Sequence, residues 1–184
     1  MSAMDVPTGE PTDVPVGVTV AVADDAWLSG LYRDHYRSLV RLAYLLLGDR
    51  PLSEEVVQEA FVRVHLARRR IRDGDRALPY LRSAVLNGAR SQLRRLDVRR
   101  RVRLEGSPDT ASAESGALAR EDSRRVVAAL RALPVRQREC LALRYYLDLS
   151  EAEIAEALGI SAGSVKTHVH RGMATLAATL EETS

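Results

Sequence analysis

The sequence predicts an all-α protein: two small helical bundles joined by a flexible linker, the second carrying a helix-turn-helix. Three observations carry that expectation. Ala, Leu, Arg, Glu and Lys, all good helix formers, make up about half of the 184 residues. Aromatic residues are only 4%, too few for the aromatic-rich strands of a sandwich or barrel. Apolar residues recur at spacings of three and four, and no stretch after residue 23 alternates with a period of two.

Residues 1–23 contain Pro7, Gly9, Pro11, Pro15 and Gly17 and no basic residue, and are expected to form a mobile tail. Within them Val14, Val16, Val18, Val20 and Val22 alternate, as in a strand that pairs on a partner. An isolated strand is not stable alone, so a solvated tail is the expectation.

Residues 24–104 should form the first bundle. Its first helix runs from Asp24 to Leu47 with Leu28, Leu31, Tyr32, Leu39, Leu42, Ala43 and Leu46 on one stripe. Asp24 and Asp25 suit a first turn, and Gly48 suits the end. Pro51 and Ser53 open the second helix, whose stripe is Val56, Val57, Ala60, Val64 and Ala67. It should end near Asp73 and Gly74. The third helix spans Pro79 to Val102, with Leu81, Val85, Ala89, Leu93 and Leu96 inward and arginines on its other faces.

Residues 105–119, poor in large apolar side chains, read as the linker. Residues 120–184 should form the second bundle, opening with helices from Arg120 to Leu133 and from Pro134 to about Leu147. A unit of about 60 residues buries only some 60% of its unfolded surface, so this bundle is marginal alone.

Ser150-Glu151-Ala152-Glu153 has the form of a capping box: the Ser oxygen accepts a backbone N–H and the Glu reaches back. The helix it opens should bury Ile154, Ala155 and Leu158. Gly159 can take the left-handed conformation that a tight turn needs. Ile160 fills the corner and Ser161 caps the last helix. That helix should bury Val165, Val169, Met173 or Gly172, Leu176 and Leu180. Ser164, Thr167, His168, Arg171 and Thr175 then share its opposite face, flanked by Lys166 and His170. These offsets make a helix-turn-helix whose polar second helix would enter the major groove N-terminus first.

The net charge of +2 conceals an uneven distribution. Residues 76–104 carry nine Arg against one Asp, a block of +8, and residues 105–123 carry −4. Such a block is the electrostatic footprint of a phosphate backbone partner. Other classes are excluded. The one cysteine, Cys140, forms no internal disulfide and reads as a buried small hydrophobe. His168 and His170 point about 200° apart on a helix and cannot share a metal. His35 and His65 have no partners at ligand spacing, so no metal and no cofactor is expected. No nucleophile elbow, phosphate loop or HExxH is present, so no catalytic residue is expected. No apolar run reaches the roughly 20 residues of a membrane span, and no basic n-region of a signal peptide is present, so a cytoplasmic location without membrane insertion is expected.

The run from Glu153 to Gly172 resembles region 4 of sigma-70-family factors, and also the LuxR-type helix-turn-helix. The first half separates the two. Glu55-Val56-Val57-Gln58-Glu59-Ala60-Phe61 resembles the region 2 helix that sigma factors press against polymerase, and Arg76 to Arg95 resembles the helix that reads and melts the minus-10 element. With an acidic linker leading straight to region 4, the layout resembles the extracytoplasmic-function group. The resemblance implies core RNA polymerase as partner, through its clamp helices and flap, promoter DNA, and an anti-sigma factor. It assigns polymerase binding to Glu55, Gln58, Glu59 and Phe61. It assigns the minus-10 element to Arg76, Tyr80, Asn87, Arg90, Arg94 and Arg95. The minus-35 element falls to Ser164, Lys166, Thr167, His168 and Arg171. The family often has Asp where Glu55 stands, Trp where Tyr80 stands and Arg where His168 stands.

Overall fold

Leu39, Leu42, Ala43, Leu46 and Leu47 fall on one side of a helix by their spacing, and all five are buried. They belong to α1 (Val16–Leu47), the first of seven α-helices in the computed structural model, which describes residues 16–71, 76–103 and 118–181. The others are α2 (Arg50–Ile71), α3 (Ala77–Arg103), α4 (Leu118–Ala132), α5 (Val135–Leu141), α6 (Glu151–Leu158) and α7 (Ala162–Glu181). The architecture is all-α, in two helical bundles. The expected linker lies mostly outside the described residues, as do Val14 and the loop Asp73-Gly74-Asp75.

The start of α1 corrects the sequence expectation. Val16, Val18, Val20 and Val22 lie in the helix, so neither a tail to residue 23 nor a strand is present there, and Asp24 is well inside the helix. Extending a formed helix adds one hydrogen bond per residue fixed. Valine sacrifices well under 1 kcal/mol of propensity, so the alternation does not stop it.

The cap of α2 is also a correction. Asp49, not Ser53, holds the helix N-terminus: its Oδ1 accepts the N–H of Leu52 at 2.9 Å. Ser53 is fully buried inside the first turn and donates its hydroxyl to the Asp49 carbonyl. The predicted stripe Val56, Val57, Ala60 and Val64 is buried against α1 and α3. On α3, Leu81, Val85 and Ala89 are buried and Leu93 is half-buried, as expected.

In the second bundle α5 does not run as one α-helix to Leu147. It passes at Ala142 into one π-helical turn, Ala142–Tyr146. The capping box forms as predicted. Ser150 Oγ accepts the Glu153 N–H at 3.3 Å, and the Glu153 carboxylate accepts the Ser150 N–H at 2.9 Å. Those bonds from Ser150 hold the Glu153 carboxyl below its ordinary 4.5. Gly159 ends α6 at φ 65°, where a side chain would be strained, and Ser161 Oγ accepts the N–H of Ser164 at 3.1 Å. We expect Ser150→Ala to destabilise the protein by about 1 kcal/mol, a Tm loss of about 2–4 °C. The loss should be full above pH 4.5 and shrink, without vanishing, as pH falls through the lowered Glu153 value: protonation weakens the bonds the carboxylate accepts from Ser150, whereas the Ser150 Oγ cap on the Glu153 N–H persists. Thermal melts of both proteins across that range check it.

The two bundles dock on one another. One buried cluster takes in Leu42, Leu46, Val57 and Val85 together with Cys140, Leu143, Ile154 and Val165. A second bundle that is marginal alone gains further burial there. Arg138 ties the seam: its guanidinium donates to the Leu46 carbonyl at the end of α1 and to the Arg131 and Leu133 carbonyls at the end of α4. Tyr146 donates its hydroxyl to the Ser38 carbonyl at 3.2 Å. No helix among the described residues is long and apolar enough to cross a membrane.

Candidate nucleic-acid interface

The last helix buries one stripe and leaves the rest open. Val165 and Gly172 are buried, with Val169 and Leu176 half-buried; Met173 is 40% exposed, so Gly172 takes the inward place of the two candidates. Gly172 lies against Leu141 and Gln137 of α5, where a Cβ would come within 3.1 Å of Leu141. Lys166, Thr167, His170, Arg171 and Thr175 are exposed, while Ser164 and His168 are half-buried. The hydroxyls of Thr167 and Thr175 donate to carbonyls one turn back, Gly163 and Arg171. Their oxygens are left to accept from a ligand, whereas Lys166 and Arg171 supply the donors.

On α3 and just before it, the predicted residues separate into two groups. Arg76, Tyr80, Asn87, Arg94 and Arg95 are exposed, Tyr80 to 40%. Asn87, Ser91, Arg94 and Arg95 line a pocket of about 260 Å³ with Glu59 and Arg63 of α2. Arg90 differs. Its Nε donates to Glu139 Oε1 and its Nη2 to Oε2 at 3.0 Å, a two-pronged pair reaching the other bundle. It also donates to Asn87 Oδ1 at 3.0 Å. Arg90 is therefore held by a carboxylate 49 residues away, whereas Arg94 and Arg95, named with it for the minus-10 element, are exposed.

The exposed face of α2 carries Glu55, Gln58 and Glu59, as predicted, with Glu59 paired to Arg63 at 2.6 Å. Phe61 does not belong to it. It is 6% exposed and packs on Tyr32, ring centroids 5.0 Å apart, behind the stacked Tyr32–Tyr36 pair. The expected place of Phe61 among the polymerase contacts is corrected accordingly: three aromatics meeting edge and face bury it. The sequence reading missed Val62 and Leu66, 57% and 73% exposed on the same side as Glu55, Gln58 and Glu59. The signal was available in their positions, since 55, 58, 59, 62 and 66 fall on one helical face.

A helix-turn-helix on one bundle and an arginine-rich helix on the other are the marks of a DNA-binding protein. Comparison with known proteins narrows this. The family model described as Sigma-70 region 2 matches residues 31–99, and that described as Sigma-70, region 4 matches 123–176. The ECF RNA polymerase sigma factor SigL of Mycobacterium tuberculosis is 33% identical over 170 residues, covering 88% of this chain and 93% of the relative. Among solved structures, CnrH in complex with the cytosolic domain of CnrY superposes with a TM-score of 0.70 at 25% identity. That match covers 91% of this chain and 96% of CnrH. The sigma factor RpoE of Bartonella quintana, in complex with the anti-sigma factor NepR, shares the fold with a TM-score of 0.69 at 20% identity, over 83% and 96% of the two chains.

The chain belongs to the sigma-70 family of RNA polymerase sigma factors, in its extracytoplasmic-function group. It is an alternative sigma factor, a specificity subunit that directs RNA polymerase to promoters.

Proposed function

We propose a division of this activity among three faces. The outer side of α2, with Glu55, Gln58, Glu59, Val62 and Leu66, seats the clamp helices of core polymerase. The exposed side of α3, with Arg76, Tyr80, Asn87, Arg94 and Arg95, holds the minus-10 element, and Arg90 joins it when released from Glu139. Lys166, Thr167, His168 and Arg171 of α7, with Ser164 at its start, read the minus-35 element. Residues 24–104 and 120–184 are the two working units. The chain supplies no catalytic residue of its own and acts in the cytoplasm. An anti-sigma protein that masks one or both units is the expected regulator, and the similar sigma factor CnrH was solved with CnrY upon it.

The observation that carries this reading is the chemistry of α3: arginines for phosphates and an exposed aromatic ring, Tyr80, on which an unpaired base can stack. Stacking is worth about 1–3 kcal/mol per base, enough to offset much of the cost of unstacking it. Tyr80→Ala is expected to slow promoter opening by the holoenzyme about tenfold or more while closed-complex binding changes little. Equal loss of duplex binding and opening would remove Tyr80 from the role. For the whole assignment the test is co-elution of the pure chain with sigma-free core polymerase. A one-to-one complex is expected, and a folded, partner-free chain that does not bind overturns the α2 assignment.

A further inference from the structure

Of the 27 lysines and arginines in the chain, all but Lys166 are arginines. The difference is one of reactivity. A guanidinium stays protonated in a protein, whereas an ammonium that sheds a proton becomes a nucleophilic amine. Lys166 is thus the chain's one side-chain amine, and it stands exposed on α7, the helix assigned to the minus-35 element. Among the described residues nothing holds it. It takes part in no ion pair or hydrogen bond, and α7 carries no carboxylate before Glu181. His170, one turn further on, is exposed as well. Residues four apart on a helix have Cβ atoms about 5–6 Å apart, so the amine and the imidazole can meet. A neutral imidazole keeps one nitrogen free to accept a proton. The one thiol that could compete for an electrophile, Cys140, is fully buried.

We propose that Lys166 is an acylation site, which takes its acyl group from a small activated donor, an acyl phosphate or an acyl thioester, with His170 as proton acceptor, and that acylation loosens the recognition helix from DNA. The inference rests on the assignment of α7 to the minus-35 element above. One ammonium proton is first lost to solvent, which frees the Nε lone pair. That pair attacks the acyl carbonyl carbon. The C–N bond forms, and the bond from that carbon to phosphate oxygen or thiol sulfur breaks, its electron pair leaving with phosphate or thiolate. The second proton shed by the nitrogen passes to His170 and on to solvent, and nothing is oxidised or reduced. An uncharged amide with one N–H then stands where an ammonium with three stood. Acylation and DNA binding exclude one another, because a lysine seated on phosphate is covered and stays protonated.

The test incubates the full chain with acetyl phosphate and, separately, with acetyl-CoA, and locates the acetyl groups by peptide mass spectrometry. Lys166 is expected to be acetylated by at least one donor, and which of them reacts identifies the donor class. The rate should fall several-fold in His170→Gln and in the presence of saturating mixed-sequence DNA duplex. Anisotropy with that duplex should show the acetylated parent binding about tenfold more weakly, with a salt slope shallower by about one. Lys166→Arg, whose charge the reagent cannot remove, should bind alike before and after treatment. Circular dichroism confirms that both variants fold. A Lys166 left unmodified by both donors overturns the site. An undiminished rate in His170→Gln overturns the part given to the imidazole. Acetylation at Lys166 with unchanged duplex binding overturns the loosening and takes Lys166 out of the DNA face. If the untreated parent binds no duplex at any salt concentration, the assignment of α7 falls, and the modification site stands on the mass spectrum alone.

Discussion

Arg138→Met is expected to lower stability by about 3 kcal/mol, a Tm loss of roughly 10 °C, and to do so without touching any surface assigned to a partner. Arg138 is 6% exposed, and its guanidinium serves the last carbonyls of two helices from different bundles. Those carbonyls have no partner within their own helices. A cation at a helix C-terminus also meets the negative end of the helix dipole, and this one meets two. Burial, then repulsion by Arg131, lowers its pKa, with Glu139 opposing, yet an arginine stays charged. Methionine fills the space and supplies no donor, so the cost is that of unsatisfied buried carbonyls rather than of a cavity. Arg138→Lys should recover only part, because an ammonium lacks the planar fork. Melting curves followed by circular dichroism decide it. A methionine variant within about 0.5 kcal/mol of the parent would mean that the three carbonyls do not depend on Arg138.

The second large effect is expected on the outer face of α2. Leu66→Asp combined with Val62→Asp should weaken core polymerase binding at least about 100-fold with helicity and Tm nearly unchanged. Both side chains project largely into solvent in the free protein, 73% and 57% exposed, so replacing them removes little internal packing. An apolar pair set among Glu55, Gln58 and Glu59 has the layout of an interface core with a polar rim. Titration of labelled core polymerase with parent and variant measures the change. Unaltered affinity would move the polymerase seat elsewhere, and the exposed Tyr32 beside Arg33 and Arg37 on α1 would be the next face to substitute.

What the sequence revealed follows from the range of the interactions involved. The buried stripes of α2 and α3, the capping box at Ser150 and the left-handed turn at Gly159 depend on residues three or four apart, and all were legible. The boundaries were less so. Asp49 and Ser53 are both good caps, and only the backbone path decides between them. Valine alternation suggested a strand where helix growth from α1 prevails. Phe61 sat correctly on α2 but on the wrong side, because its burial is set by Tyr32 and Tyr36 of α1. The fate of Arg90 was invisible for the same reason. Nothing near it in the chain announces Glu139, and an arginine awaiting phosphate looks like one holding a carboxylate.

Cys140 gives the molecule a timekeeper. It is the chain's one thiol, fully buried, and burial, aided by the Glu139 charge, raises its pKa to about 11. Only a thiolate attacks an alkylating reagent or a disulfide, so the native chain is nearly inert toward both. Each modified molecule therefore records one excursion in which water reached this part of the core. In a cell under oxidative load, the damage collected at Cys140 would be proportional to the time spent open rather than to the oxidant alone. A chain held by core polymerase or by a masking protein would age at a different rate from a free one, by as much as the partner changes that excursion.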